Sequence, residues 1–443
     1  MSSTSRNPVW IEFAPEFIRR RLEGRSTLHA IIHNAGWLLG DKALRLGLGL
    51  LVGAWVTRYL GPSQYGELSY VLALVAFFDA VSRLGLEAIA IREMSADRNA
   101  APAILGTVFR LRLLSGFLCW LAVTGSTLLF GSEPKTVALT TIVAGGLVFQ
   151  AADTVELWFQ SQMQSKRTVI AKTVAYLLTN SIRVLLVMAK AELVWFAIAG
   201  VVEIVLSAFA FAVSYRKYPA PLPWRWSGER GRILLKEAWP YMLSALAIMI
   251  YMRIDQVMLH AMLGSRELGI FSAAMPLSMS WYFIPMMIAQ SAGPSIAVKK
   301  KADPQGYERA IDRLFAMMWL IMLPISLAVA VCSVPLVRLM YGEAYDASAH
   351  VLAVHVFANV PIALGVVQGI WIVNERKNTL LLTKTMAGAV VNVVLNQLLI
   401  PEYGALGAAA ATLAGQSVSS VLSNALLAPR IFRGQIGSWL RTR

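Results

Sequence analysis

Sixteen charged side chains lie inside segments otherwise built from Leu, Val, Ala and Ile. Nine are basic (Lys42, Arg45, Arg83, Arg110, Arg112, Lys172, Arg183, Arg253 and Lys384), and seven are acidic (Asp41, Asp79, Glu87, Asp153, Glu156, Glu203 and Asp255). Set in lipid at roughly 3 kcal/mol each, they would together cost on the order of 50 kcal/mol. Most must therefore face a water-filled cavity or one another. Cations gathered around such a cavity suit a compact anion, with the acids as their partners.

Spacing narrows the arrangement. Asp79, Arg83 and Glu87 recur every four residues and form one stripe on a helix, as do Asp41 and Arg45. Lys172 and Arg183 are three helical turns apart and share a face. Arg110 and Arg112 diverge by about 200°, so only one of them can look inward. Arg253 and Asp255 diverge likewise and are not a simple pair. Lys42, Arg110 and Lys172 lie near helix ends and read equally well as residues snorkelling to headgroups. Arg45, Arg83, Arg183 and Arg253 are deeper and read as cavity residues. His350 and His355 read as interfacial, and Cys119 and Cys332 as small core residues.

The elements that must position these groups are helices in a bilayer. Of the 443 residues, 57% are hydrophobic and 15% charged, whereas a soluble domain carries about 25% charged residues. Twelve apolar segments, each near the roughly 20 residues a bilayer requires, fill the chain from 35 to 428. An all-α polytopic membrane protein follows. Most of the 40 Lys and Arg fall in the two tails and the even-numbered connections. The odd-numbered connections hold only Arg58, Lys135, Lys190, Arg266 and Arg338. The positive-inside rule then puts both termini in the cytoplasm, and the charge of +15 is a topology signal rather than a mark of nucleic-acid binding.

One turn is written twice. "YLGPSQYGELSYVLAL" at 59–74 and "MLGSRELGIFSAAMPL" at 262–277 share Leu60/Leu263, Gly61/Gly264, Gly66/Gly269, Ser69/Ser272 and Leu74/Leu277 at a constant offset. "KTVAYLLTN" at 172–180 and "KTMAGAVVN" at 384–392 give a second echo. Six helices separate the copies, so the halves are expected to be parallel repeats related by an axis along the membrane normal. The chain divides into a basic tail over 1–34, a six-helix lobe over 35–215, a Pro- and Arg-rich linker over 216–237, a second lobe over 238–428 and a basic tail over 429–443. Within the first tail, Trp10, Phe13 and Phe17 fit either an amphipathic helix or a solvated tail. The first lobe carries thirteen of the sixteen charges. The second carries prolines inside its spans (Pro276, Pro285, Pro294, Pro324 and Pro361) and reads as the lobe that bends.

"TRYLGPSQYGELSYVLALVAFFDAVSRLGLEAIAIRE" at 57–93 resembles the opening of the bacterial polysaccharide-repeat-unit flippases, in the multidrug/oligosaccharidyl-lipid/polysaccharide exporter superfamily. "RIDQVMLHAMLGSRELGIFSAAMPL" at 253–277 resembles their seventh helix, with Gln256 where a lysine or other polar residue is usual, and "IPEYGALGAAAATLAG" at 401–415 is similar to their last helix. The resemblance spans about residues 35–428. It implies a V-shaped pair of lobes in the bacterial inner membrane. Such a protein moves an undecaprenyl-diphosphate-linked oligosaccharide outward by alternating access, without enzymatic chemistry or a cofactor. Its partners would be that lipid-linked substrate, membrane lipids and a polysaccharide polymerase. Arg45, Arg83, Lys172, Arg183, Arg253, Asp255 and Lys384 are the expected substrate-binding residues, and Asp41, Asp79, Glu87 and Asp153 their charge partners. Gln290, Gln368, Asn392 and Asn396 are candidates for binding sugar. The rival readings are a drug or cation exporter of the same superfamily and, from another class, a membrane polysaccharide polymerase or ligase.

The topology is checked by labelling intact cells with an impermeant thiol reagent. Cysteines placed at Ser63 and Glu402 are expected to react and one at Gln305 to stay unlabelled; labelling at Gln305 would overturn the orientation.

Overall fold

The computed structural model describes residues 26–220 and 222–437. The stretch around Trp10, Phe13 and Phe17 lies outside them. All regular structure among the described residues is helical. Ser26–Ser82 is a single rod broken at Gly61, where φ is 69°, into α1 (26–60) and α2 (62–82). After a short break α2 resumes as Glu87–Ala96. Next come α3 (Ala101–Leu129), α4 (Pro134–Phe149, continued by Thr154–Ser161), α5 (Ser165–Met188) and α6 (Leu193–Lys217).

The second half repeats this plan. Gly228–Met279 breaks at Gly264, φ 83°, into α7 (228–263) and α8 (265–279), the latter continued by Phe283–Ala302. Then follow α9 (Pro304–Val331) and α10 (Asp346–His355, continued by Asn359–Glu375). Asn378–Ser417 breaks at Gly404 into α11 (378–403) and α12 (405–417). The predicted twelve crossings in two six-helix lobes are therefore present, and α13 (Pro429–Gly437) is added at the carboxyl end.

The duplicated turn is where the two lobes meet. Both copies use glycine because the break needs a left-handed φ that side-chain-bearing residues avoid. A Cβ on Gly66 would lie 1.7 Å from the Ser265 carbonyl oxygen, and one on Gly269 would lie 1.8 Å from the Pro62 carbonyl oxygen. Each copy thus receives the other backbone to backbone, as expected of an element beside a two-fold axis. Around this contact Tyr345 donates to the Thr57 carbonyl at 2.7 Å. Tyr70 stacks on His260 with ring centroids 3.7 Å apart. Ala54 of α1 belongs to the same apolar core as Phe271 and Leu352 of the second lobe.

Several expectations change in detail. Helix 2, expected to run unbroken through residues 66–91, breaks at Leu84 and Gly85, both with positive φ. The cause is α7: a Cβ on Gly85 would lie 2.6 Å from the Met242 amide nitrogen. Leu234 and Ala238, at the start of α7, are fully buried in the core of the first lobe with Leu86 and Phe211. Arg92 and Glu237 close the same contact at 2.7 Å. The carboxyl-terminal segment, read as a tail, forms α13, and Gln435 on it is fully buried. His355, read as interfacial, is buried against Phe271 and shares a hydrogen bond with Ser278 at 2.8 Å. Cys332 is exposed rather than in the core, while Cys119 is buried. Helix breaks are not confined to the proline-bearing lobe, since α4 is interrupted at Gln150–Asp153 without proline.

Gly66→Ala is expected to force the two turns apart, because the clashing atoms, on Ser265 and Gly269, are all backbone and none can rotate away. The thermal midpoint should fall by several degrees, and a cysteine at the buried Ser272 should gain thiol reactivity. An unchanged midpoint together with an inert cysteine would show that the interlock does not hold the lobes.

Candidate functional site

The charged residues of the first lobe converge. On α1, Arg45 donates through Nε to Asp41 at 3.0 Å, the one-turn pair expected from spacing. Thr173 of α5 donates to the same carboxylate at 2.8 Å. The Arg45 guanidinium lies 4.6 Å from the Tyr176 ring centroid, and Tyr176 donates to the Arg45 carbonyl at 3.1 Å. On α2, Arg83 contacts Asp79 through Nε and Glu87 through Nη1, both at 3.1 Å, so the predicted stripe survives the helix break. Asp153 comes within 3.9 Å of the Arg83 Nη1. The 3-10 turn at Gln150–Asp153 interrupts α4 where these two residues line the cavity.

Residues less evident in the sequence complete the cluster. Glu203 on α6 lies 3.7 Å from Arg45 and 3.4 Å from Arg183, joining two cations from different helices. Glu156 takes Lys172. Of Arg110 and Arg112, the second turns inward: it is 3% exposed and contacts Glu87 at 3.4 Å. Arg110 and Lys42 are exposed, as snorkelling residues would be. Spacing along one helix could not find Glu203 or Glu156, because their partners come from other helices.

Two cavities result. One, of about 330 Å³, is lined by Asp41, Arg45, Arg83, Asp153, Lys172 and Glu203. The other, of about 470 Å³, extends toward the duplicated turns and is lined by Arg183, Gly53, Thr57, Tyr65, Tyr341 and Glu203. Glu203 and Ile204 border both. Arg45 and Arg83 use Nε and Nη1 on carboxylates, and neither Nη2 has a protein partner among the described residues. Each guanidinium is thus oriented by acids with one edge left for a ligand. Five N–H donors in a rigid fork make that division possible.

The second lobe handles polarity differently. Lys384 is 3% exposed and donates to the Gln368 side-chain oxygen. Gln368 pairs with Asn424 at 2.6 Å, and Asn424 donates to Gln435 of α13 at 2.9 Å. Arg253 donates to Gln256 at 3.2 Å, while Asp255 accepts from Thr412 at 2.7 Å; the two are not paired, as their spacing requires. Asn396 donates to Asn392 at 3.2 Å. Three of the four sugar-binding candidates, Gln368, Asn392 and Asn396, are therefore interior groups bonded within the lobe, and only Gln290 is exposed. Arg253, Asp255 and Lys384 are not brought to the cluster formed by Arg45, Arg83, Lys172 and Arg183.

Residues 55–350 match the family described as polysaccharide biosynthesis protein. The chain belongs to that family. It is 22% identical over 392 residues to a putative O-antigen transporter of Shigella dysenteriae, covering 85% of this chain and 92% of that relative. In structure it is similar to a multidrug resistance MATE transporter of the MOP superfamily in an inward-facing conformation. That likeness has a TM-score of 0.72 at 16% identity, over 88% of this chain and 95% of the other. It is also similar to the lipid II flippase MurJ in an inward closed conformation, with a TM-score of 0.68 at 14% identity and 90% of each chain covered. The two-lobe architecture is accordingly that of the MOP-superfamily transporters.

Glu203→Gln is expected to destabilise the first lobe, because two part-buried guanidiniums lose their shared carboxylate. The thermal midpoint should fall, and the Glu203→Gln/Arg183→Gln double variant should lose less than the sum of the single losses. Strict additivity would show that the two residues are not coupled.

Proposed function

We propose that this protein flips an undecaprenyl-diphosphate-linked oligosaccharide repeat unit from the inner to the outer leaflet of the bacterial cytoplasmic membrane, for surface polysaccharide assembly. One observation carries the reading: Arg45 and Arg83 are held by carboxylates through Nε and Nη1, their Nη2 groups have no partner among the described residues, and both residues line the same cavity as Lys172. Diphosphate oxygens match such edges in geometry and charge. Membership of a polysaccharide biosynthesis family supports the substrate class, as do the likenesses to a putative O-antigen transporter and a lipid II flippase.

With both termini cytoplasmic, the interlocked turns lie on the outer side, and lobes joined there accept substrate from the inner leaflet. The acids neutralise the cations when the site is empty; on binding, the diphosphate takes the free edges. Arg183, three turns beyond Lys172 on α5, offers the next guanidinium toward the outer side. The polyprenyl chain stays in lipid. Arg253, Asp255 and Lys384 of the second lobe would contribute only after a rearrangement that opens their present contacts.

Moving one charge through 100 mV is worth about 2.3 kcal/mol, so a diphosphate of two charges gains roughly 4–5 kcal/mol on leaving a cell with a negative interior. That biases outward transfer by about a thousandfold without a coupling ion. In proteoliposomes carrying a labelled lipid-linked oligosaccharide, a potential negative on the donor side is expected to accelerate transfer with no ion gradient present. Arg83→Gln should slow transfer at least about tenfold and Arg83→Lys much less. Transfer that responds only to an ion gradient would refute the electrophoretic step, and equal rates for the Gln and Lys variants would remove Arg83 from the site.

A second reading has one observation in its favour. The first-lobe cluster holds six acids (Asp41, Asp79, Glu87, Asp153, Glu156 and Glu203) against five cations (Arg45, Arg83, Arg112, Lys172 and Arg183), a balance that suits export of an organic cation. Uptake of tetraphenylphosphonium by the same vesicles, without lipid-linked transfer, would establish that reading instead.

A further inference from the structure

A second cationic recess lies outside the cluster, at the end of the first lobe where the linker begins. It has a volume of about 360 Å³ and is lined by Arg98, Trp158, Gln162, Gln164, Arg167 and Tyr218. These residues come from the α2–α3 connection, the end of α4, the start of α5 and the chain just after α6. All belong to the end opposite the duplicated turns.

Its electrostatics are the reverse of those in the cavities above. There every inward-facing cation meets a carboxylate. Here neither Arg98 nor Arg167 has a carboxylate within 4.0 Å among the described residues, and no acid lines the recess. The neighbouring Asp97 is turned to the backbone N–H of Asn99, at 2.9 Å. Arg167 lies over Tyr218, its guanidinium carbon 3.2 Å from the ring centroid, with Phe159 also nearby at 5.5 Å. Stacking occupies the face of a guanidinium and leaves its N–H edge free. Trp158 fixes the far wall by donating to the Tyr218 carbonyl at 3.3 Å. Gln162 and Gln164 add neutral amides. Two uncompensated guanidiniums with amide donors and no acceptor charge fit a phosphate.

The surroundings say which kind of phosphate. Exposed Ile170, Val174 and Leu178 follow Arg167 along α5 at helical spacing, and Met163 is exposed at the lip. An apolar stripe leading away from a cationic recess at the end of a membrane-crossing helix matches a headgroup joined to acyl chains. We propose that this recess binds the phosphate headgroup of an anionic membrane lipid, with its chains along α5, and so braces the α4–α5 turn against the start of the linker. The assignment does not depend on what the transporter carries.

The full-length protein, purified in detergent, is titrated with dioleoylphosphatidylglycerol and, in parallel, dioleoylphosphatidylcholine, and bound lipid is counted by native mass spectrometry. Arg98→Gln/Arg167→Gln is expected to weaken retention of the first phosphatidylglycerol about thirtyfold while leaving phosphatidylcholine unchanged. Lys299→Gln/Lys301→Gln, which removes exposed charge from the second lobe at the same end, should retain it as the parent does. Equal retention by the arginine double variant would overturn the site. An equal loss in the lysine variant would reduce it to general surface charge. Displacement of the lipid by millimolar inorganic pyrophosphate would show a free-phosphate site and overturn the lipid assignment. Should the double variant prove unstable, Arg98→Gln alone applies the same test, since Arg98 makes no hydrogen bond or ion pair beyond its own turn among the described residues.

Discussion

Arg45 and Arg83 each grip carboxylates through Nε and Nη1, and the first lobe is organised around making those grips possible inside a bilayer. A lone guanidinium at that depth is expensive, and so is a lone carboxylate. Brought together they relieve each other, provided that several helices deliver their residues to one place. Asp41 and Arg45 come from α1, Asp79 and Arg83 from α2, Asp153 from the broken part of α4, Lys172 and Arg183 from α5 and Glu203 from α6. The break in α4 and the tie from Thr173 to Asp41 follow from the same need. Removing Glu203 takes from Arg183 its carboxylate, and removing Glu156 takes that of Lys172, so the cluster holds the lobe together as well as lining its cavity.

The second lobe meets the same constraint with amides. Lys384 has Gln368 as its acceptor, and Gln368 is held by Asn424, which also reaches Gln435 on α13. Such a chain works only when each member is satisfied. That requirement accounts for α13: a segment with the composition of a basic tail folds back because Gln435 and the Trp319 indole, which donates to the Gln435 carbonyl at 2.7 Å, complete the network. The lobes thus share topology and one turn but not the means of burying polarity. The first can present charge to a ligand, whereas the second is closed on itself.

What was legible in the sequence divides along the same physical line. The pairs Asp41–Arg45 and Asp79–Arg83–Glu87 are one turn apart on single helices, so helical geometry alone predicted them. The duplicated turn was legible because left-handed φ and close backbone approach both demand glycine, leaving a mark at fixed positions. Glu203, Glu156 and the choice of Arg112 over Arg110 were not, since each depends on which helices are neighbours. The break at Leu84–Gly85 was hidden for the same reason: its cause is the approach of α7, more than 150 residues later in the chain. His355 and the three buried sugar candidates were misplaced because a polar residue in an apolar helix has the same one-dimensional pattern whether it faces a cavity or a hydrogen-bonded core.

Helix α7 is the element that the division into lobes does not describe. Its first turns are buried in the core of the first lobe through Leu234 and Ala238, and its far end carries the turn at Gly264 that interlocks with the first lobe's own copy. Between these ends, Asp255 holds α12 through Thr412. If the lobes separate at the interlocked turns during transport, α7 cannot move wholly with either. It must bend, and Pro240 marks the place: it lacks the N–H that would bond to the carbonyl of Lys236, one turn earlier. Pro240 sits between Ala238 and Met242, whose backbone atoms pack against Gly85. The left-handed break of α2 and the proline of α7 therefore face each other, two helices each weakened where the first lobe hands over to the second. The Arg83–Glu87 contact spans the break in α2 at the same place, so a bend of α7 there would act directly on the charged cluster.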